Sequence, residues 1–315
     1  MNVEGMNILV TGCAGFIGSH MVDLLLEKGH TVIGVDCFTY AGSAGNIQHN
    51  YDNDKFKLYN NDIRSTHSIG ELCDLRNIDW IINFAAETHV DNSINSIIPF
   101  LKSNVEGVAS LLNVCKDLPE IKMLHISTDE VYGSAHAGSF SEEDKLNPRN
   151  PYSASKAAAE HLVTSYHNTY NTTFKMVRMS NNFGPRQHAE KLIPTVVNCI
   201  LSNRPVPIYG DGTNVRDWFY VKDCVRMIYD VLDKGKYNET YNLSHNQEVN
   251  NLVVVQKICE IMGVDASSVI TFVKDRPGHD FRYSISNEKI KALGISSPSD
   301  FTQSLQCTID AIIGR

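Results

Sequence analysis

A chain of 315 residues, 42% hydrophobic and 20% charged, is long enough for one large domain or two modest ones, and its composition excludes disorder, collagen and coiled coil. A formal net charge of −8 argues against a nucleic-acid partner. Eight scattered cysteines with no C-x-x-C pair, and no apolar run near the roughly 20 residues that span a bilayer, predict reduced thiols, no metal, no membrane partner and a cytoplasmic location.

The opening Met1–Met6 is short and polar, unlike a signal peptide, and runs straight into the apolar stretch Asn7–Thr11, a predicted strand. Apolar positions at helical spacing predict a helix over Ile17–Lys28. Strands are predicted at Thr31–Asp36, Lys55–Tyr59, Trp80–Ala85, Met123–Ile126 and Thr173–Met179. Helices are predicted at Asn104–Lys116 and Tyr152–Tyr170. Alternation of apolar strands with helices gives the fold class: α/β, a Rossmann-type doubly wound parallel sheet covered on both faces. After Gly184 the rhythm loosens and Pro185, Pro194, Pro205 and Pro207 crowd together. We therefore assign 1–184 to a Rossmann-type domain, with 217–236 returning to it. Segments 185–216 and 237–315 form a smaller mixed α/β C-terminal lobe.

The turn after the first strand reads Thr11-Gly12-Cys13-Ala14-Gly15-Phe16-Ile17-Gly18. Gly12 permits the tight turn. Gly15 lets backbone approach a pyrophosphate, and Gly18 lets helix pack on strand. The helix N-terminus then offers N–H groups and a favourable dipole to phosphate. Asp36 closes the second strand, 24 residues after Gly12. A carboxylate there accepts from ribose hydroxyls and repels a 2′-phosphate, which favours NAD over NADP and makes 1–184 the NAD-binding domain. Asp62-Ile63 and Phe84-Ala85-Ala86 also end strands, where ligands bind open sheets, although strand-end packing is the plainer role for the two alanines.

Tyr152 and Lys156 are four residues apart and share a helix face. A tyrosine pKa of about 10 is too high for a base at neutral pH, and a neighbouring ammonium is expected to lower it. Upstream, Ser127-Thr128-Asp129-Glu130 follows a strand end. Two adjacent carboxylates there suit acid–base work, with one protonated and one ionised. The plainer alternative is a solvated loop with Asp129 as a helix cap.

These residues resemble the extended short-chain dehydrogenase/reductase family, and within it the dTDP-glucose 4,6-dehydratases. The resemblance runs along nearly the whole chain, through TGCAGFIGS, VDCFTYAGS, NDIR, AAETHVDNSI, STDEVYG, NPYSASKAAAEHL, NNFGPRQHAEKLIP, PIYGDGTNVRDWFYV and DRPGHDFRYSI. The Gly-rich turn and Tyr-x-x-x-Lys are shared with epimerases, decarboxylases and reductases; Thr128-Asp129-Glu130 is the specific part. The resemblance implies a lyase that converts a nucleoside-diphosphate-glucose to its 4-keto-6-deoxy form with NAD as resident cofactor. Its catalytic residues would be Thr128, Asp129, Glu130, Tyr152 and Lys156. NAD would touch Gly12, Gly15, Phe16, Ile17, Gly18, Asp36, Cys37, Phe38, Thr39, Asp62, Ile63, Phe84, Ala85, Ala86, Ser103, Tyr152, Lys156 and Asn182. The sugar nucleotide would touch Thr88, Thr128, Asn181, Glu190, Lys191, Leu192, Pro207, Tyr209, Arg216, Asn251, Arg276 and His279. Arg216 and Arg276 suit a diphosphate, which a planar guanidinium fork matches. Ion pairs to Asp217 and Asp275 are their plainer roles.

The chain departs from the family pattern in three places. The stretch from Glu130 to Tyr152 is shorter than in bacterial members. Ser103 stands in place of Thr. Arg186-Gln187-His188-Ala189 replaces a more aromatic run before Glu190, near the expected nucleotide base. dTDP-glucose is the favoured substrate, with UDP-glucose the alternative. An epimerase or decarboxylase on the same scaffold, and a catalytically silent NAD-binding protein, are the other readings. A homodimer through Asn104–Lys116 and Tyr152–Tyr170 follows by family analogy only.

Overall fold

The computed structural model describes residues 5–275 and 280–314. β1 (Asn7–Thr11) pairs in parallel with β2 (Thr31–Asp36) on one side and with β4 (Trp80–Asn83) on the other. α1 (Phe16–Glu27) connects β1 to β2. β3 (Phe56–Asn60) extends the β2 side, and α2 (Thr66–Leu75) leads back to β4. Two short helices, α3 (Val90–Asn95) and α4 (Ile98–Phe100), and a π-helical turn at Leu101–Glu106 precede α5 (Gly107–Asp117). β5 (Lys122–Thr128), a 3₁₀ turn at Asp129–Tyr132, α6 (Pro151–Tyr170) and β6 (Phe174–Met179) follow. The seven-stranded sheet is parallel throughout, in the order β3-β2-β1-β4-β5-β6 and then a last strand, Glu239–Leu243 (β10). Strand order reverses between β1 and β4, the place where open sheets of this kind bind ligands.

Strand alternation shows why both faces are covered. Ile8 and Val10 pack under α1 and α8 (Val221–Lys234), while Leu9 between them packs under α2 and α5. Every one of these side chains is fully buried, so the strand has no polar face.

β7 (Asn181–Phe183), α7 (Leu192–Leu201), β8 (Val206–Tyr209) and β9 (Val215–Tyr220) begin a second lobe. The chain then returns to the main sheet. α8 packs against α1, and β10 (Glu239–Leu243) pairs with β6 as the seventh strand. β11 (Glu248–Asn250), α9 (Asn251–Met262), α10 (Ala266–Val269), β12 (Ile270–Val273), α11 (Glu288–Lys291) and α12 (Phe301–Ile313) complete the chain. Two small sheets, β11-β9-β7 and β12-β8, and a core of Phe183, Val196, Val254, Ile258 and Leu305 build the lobe.

The returning segment is thus longer than the sequence boundary of 236. The whole of β10 falls in the segment 237–315, yet Tyr241 and Leu243 are buried in the main core. Ile290 and Ile295, at α11 and just after it, join that core too. The physical reason is the short connection from α8, where Asn238 takes a positive φ of 59° and turns the chain straight into a strand. No helix follows β10, so no βαβ rhythm marks it. Helix boundaries differ less, except that Asn104 lies in the π turn rather than opening an α-helix. Among the described residues, no helix is long and apolar enough to cross a membrane.

Candidate active site

The glycine turn is built as tightly as its spacing predicts. Gly12 has φ +66°, and a Cβ on it would lie 2.7 Å from the Ala85 amide nitrogen. A Cβ on Gly18 would lie 2.2 Å from the Gly12 carbonyl oxygen, so helix and turn meet only if both residues are glycine. Gly15 is the N-cap of α1 and has no side chain to cover the helix end. Thr11 Oγ1 donates to Asn83 at 2.6 Å and accepts from the Ala85 amide at 3.3 Å, which ties the ends of β1 and β4 together.

Across this point of strand reversal lies a cleft of about 320 Å³. Its wall brings together Gly12, Gly15, Asp36, Cys37, Thr39, Asp62, Ile63, Phe84, Ala85, Ala86 and Ser103, all singled out from sequence. Phe16, Ile17 and Phe38 instead pack against the core beneath α1. Asp36 is buried, and its two oxygens accept from the Ala14 and Phe38 amides at 2.9 and 2.8 Å. Burial raises its pKa and those two bonds oppose the rise. Asp62 is chelated by Arg64, with 2.7 Å between Oδ2 and Nη2, and that pairing lowers its pKa. Lys102, from the π turn, lines the cleft without having been foreseen. The same turn points Asn104 inward, where it binds the Glu87 amide and carbonyl and donates to Ser155 on α6. Only the irregular helix signals these contacts, and apolar spacing does not show it.

The reactive residues meet beside this cleft. Asn150 caps α6 through the Ser153 amide, and Pro151 occupies its first turn. Tyr152 and Lys156 are both buried on the face toward β5. Lys156 Nζ donates to the Ile126 carbonyl at 2.7 Å. The Tyr152 hydroxyl hydrogen-bonds Thr128, which ends β5. Thr128 also caps the next turn by accepting from the Glu130 amide at 3.3 Å. Asp129 is almost wholly buried, and its Oδ2 has no hydrogen-bond partner. Burial, then the charges of Glu130 and Asp217, push its pKa well above the carboxylate range. A solvated cap is excluded: Thr128 is the cap and Asp129 is inside. Glu130 is half-buried, and Oε2 lies 3.2 Å from Asn150 Nδ2 and 3.3 Å from the Tyr283 hydroxyl.

In the chain without cofactor, burial raises the Tyr152 pKa first and the charge of Glu130 raises it further, opposed by the Thr128 hydrogen bond. Lys156 is itself depressed to about 8 by burial, opposed by the charge of Glu160.

The remaining candidates line the far side. Asn181 and Asn182 follow the carboxyl end of β6, and each has a buried side-chain oxygen without a partner, as does Ser180 Oγ. Asp129 Oδ2 is orphaned in the same way, and each such buried atom calls for a partner that the chain alone does not supply. Glu190 and Lys191 precede α7, which Leu192 opens. Glu190 lies 3.9 Å from His89, and Lys191 Nζ lies 3.5 Å from the carbonyl of exposed Thr88. Pro207 and Tyr209 are exposed on β8. Asn251 opens α9 and its amide bonds the Asn214 carbonyl. Arg216 is buried, donates to the Asp280 carbonyl at 2.9 Å and stacks 4.2 Å over the Tyr283 ring. Asp217 instead accepts from the Asn246 and Gln247 amides. Arg276 and His279 lie outside the described residues. Among the described residues, no three His, Cys, Asp or Glu side chains are placed to hold a metal ion. Tyr283 and Asn150, both on Glu130, were not singled out; Asn-Pro before the helix was the available signal for Asn150.

Comparison with known proteins places this geometry. A family model described as GDP-mannose 4,6 dehydratase matches residues 9–307. The low-salt glycan biosynthesis protein Agl12 of Haloferax volcanii is 44% identical over 310 residues, covering 98% of this chain and 99% of that one. A dTDP-glucose 4,6-dehydratase of Haemophilus influenzae is 41% identical over 329 residues, covering 96% and 97%. The crystal structure of a dTDP-glucose 4,6-dehydratase from Streptomyces venezuelae, solved with NAD bound, superposes with a TM-score of 0.95 at 38% identity, covering 98% of each chain.

Proposed function

The chain belongs to the GDP-mannose 4,6 dehydratase family, and on that premise we propose that it dehydrates a nucleoside-diphosphate-glucose, dTDP-glucose foremost, to the 4-keto-6-deoxy sugar nucleotide. The observation that carries the reading is the opposed setting of two neighbouring carboxyls: Asp129 buried with its Oδ2 unpartnered and its pKa pushed up, Glu130 half-buried beside it. Elimination of water requires such an acid and base at once.

The cleft suits NAD. Its glycine turn leaves no room for a Cβ at Gly12 or Gly18, and Asp36 stands where ribose hydroxyls are read. NAD⁺ bound there supplies a hydride acceptor for C4 and a donor for C6, so no net oxidation occurs. Asp36, Asp62 and the alanines after β4 hold it, with Ser103, Lys156 and Asn182. Tyr152 takes the proton of the glucose 4-hydroxyl while Thr128 hydrogen-bonds that oxygen. Glu130 removes the C5 proton, which the 4-ketone has made acidic. Asp129 gives its proton to the departing 6-hydroxyl. Arg216, fixed over Tyr283, faces the diphosphate, with Arg276 as its companion, and Glu190–Leu192, Pro207 and Tyr209 hold the remainder of the nucleotide. Residues 1–180 with 221–243 form the cofactor domain in this reading, Ile290 and Ile295 packing on its core, and the remainder is the sugar-nucleotide lobe.

UDP-glucose is the second reading of the substrate. Incubation with NAD⁺ and either dTDP-glucose or UDP-glucose, followed by mass spectrometry, tests both. Loss of one water from a single donor fixes the reaction and the base together. If neither donor loses water while NAD⁺ stays bound, an epimerase or decarboxylase takes its place.

A homodimer in the cytoplasm is part of the proposal. The eight unpaired thiols suit a reducing compartment. The outer faces of α5 and α6 carry small or short residues, Ala109, Asn113, Ala154 and Ala158, none of them buried, which let a second pair of helices approach closely. Light scattering on a size-exclusion peak is expected to give twice the chain mass at micromolar concentration; the mass of one chain sinks the dimer.

A further inference from the structure

Beneath the reactive residues lies a buried ionic network that the mechanism above does not use. Glu160 is 2% exposed and sits one helical turn beyond Lys156 on α6. Arg178, on β6, grips its carboxylate through Nη2 at 2.7 Å and Nε at 3.0 Å. Ser127, the residue before Thr128, donates to its other oxygen at 2.5 Å. Arg178 also donates to the Tyr132 hydroxyl at 2.5 Å, and Tyr132 donates to Asn242 on β10 at 2.9 Å. One carboxylate therefore joins α6, β5 and β6, and through Tyr132 it reaches the turn that carries Asp129 and Glu130.

An arrangement made only for stability gains little from such a pair, since buried ion pairs are often no better than apolar replacements. Its position suggests another use. Lys156 and Glu160, four residues apart on the buried face of α6, reach adjacent residues of β5: Lys156 donates to the Ile126 carbonyl and Glu160 accepts from the Ser127 hydroxyl. We propose that Glu160 is a positioning residue: its carboxylate, fixed by Arg178 and Ser127, is the counter-charge that keeps Lys156 an ammonium aimed at the reactive Tyr152 face. The inference rests on the catalytic reading of Tyr152 and Lys156 given above.

The charges facing this spot are few. Lys156 comes from α6 itself, Arg178 from β6, Tyr132 from the 3₁₀ turn and His125 from β5; Glu142 accepts from the Asn242 amide nearby. Burial and Lys156 hold His125 neutral, and burial pushes Tyr132 up to about 12. Lys156, depressed to about 8 by burial and supported against it by Glu160, is the member of the group that titrates near neutral pH.

Glu160→Gln keeps the shape and removes the charge. Loss of an opposite charge at this range lowers a lysine pKa by about one unit. Asp129 titrates in the same site, so the oxidation step is followed alone, as reduced nicotinamide formed in an Asp129→Asn background. Its basic limb is expected to move down by about one pH unit when Glu160→Gln is added, with KM for the sugar nucleotide nearly unchanged. A second readout uses protein without substrate or cofactor. Lys156 binds its proton less tightly folded than unfolded, so stability rises with pH from the folded pKa of about 8 toward the unfolded value of about 10.4. In Glu160→Gln that rise in Tm is expected to begin about one unit lower. A Tm lowered equally at every pH, with the basic limb unmoved, overturns the proposal and leaves the pair as a structural tie. If Glu160→Gln fails to fold, Glu160→Gln with Arg178→Gln removes both charges. That double variant keeps a smaller shift in the same direction if the proposal holds, and the wild-type limb if it does not. A wild-type protein that dehydrates neither sugar nucleotide refutes the reaction, whereas the melting profile tests Glu160 by itself.

Discussion

Asp129→Asn is expected to slow dehydration by roughly 10²–10⁴-fold while oxidation at C4 continues, so that reduced nicotinamide accumulates after mixing with substrate. The substitution is unusually clean here. Burial, then the charges of Glu130 and Asp217, push the Asp129 pKa up and so favour its neutral form, which Asn matches in shape and charge. Glu130 then keeps its field, and Thr128 keeps its contact with Tyr152. The proton that the departing hydroxyl requires is what is lost. Single-turnover absorbance and mass spectrometry, run together, separate the two steps. Dehydration at the wild-type rate removes Asp129 from the role of acid.

The same substitution is expected to stabilise the fold. The folded pKa of Asp129 is raised above its unfolded value, so between those two values the unfolded chain gives up a proton that the folded chain retains. Stability from this group is therefore highest below the unfolded pKa and falls as pH rises toward the folded one. Asn has no proton to release. The Tm of Asp129→Asn should exceed that of wild type by a margin that widens as pH rises from the unfolded carboxyl pKa of about 3.9 toward the raised folded one. A margin independent of pH contradicts the protonated assignment. Loss of activity with gain of stability is the signature of a group held in an unfavourable state for its chemistry.

The first half of the chain was legible because its physics is local. Apolar runs buried on both faces, such as Asn7–Thr11 and Thr31–Asp36, admit few readings, and Gly12 and Gly18 are forced by contacts within the same turn. β10 was not legible, since its place depends on an edge that β6 offers across more than sixty residues of chain. The site divides in the same way. Gly-rich turn, Asp36, Tyr152 and Lys156 have fixed spacings that carry their chemistry. Tyr283, Asn104 and the Glu160–Arg178 pair act only through partners distant in sequence, and nothing in their own neighbourhoods announces them. The Tyr152 pKa divides in the same way: a lysine four residues away is visible in sequence, whereas the burial that raises the pKa in the chain without cofactor is not.

That burial sharpens what Tyr152→Phe should do. In the chain alone, Tyr152 is a reluctant base; a bound NAD⁺ would add its positive charge to that of the Lys156 ammonium, and the two would favour the Tyr152 phenolate that then accepts the proton of the 4-hydroxyl. Phe keeps the edge-on contact with Phe100, whose ring centre lies 6.3 Å away, and removes only the hydroxyl. A small gain or no change in Tm is therefore expected, because the buried hydroxyl loses a single partner, Thr128. Turnover should fall by roughly 10³-fold or more. The block should fall at the first step, with no reduced nicotinamide formed, opposite to the accumulation expected in Asp129→Asn. NAD⁺ affinity measured by calorimetry should change little, because the glycine turn, Asp36 and Asp62 remain in place. If reduced nicotinamide still appears at the wild-type rate, proton removal from the 4-hydroxyl belongs to another group, and Thr128, already joined to Tyr152, is the first to substitute.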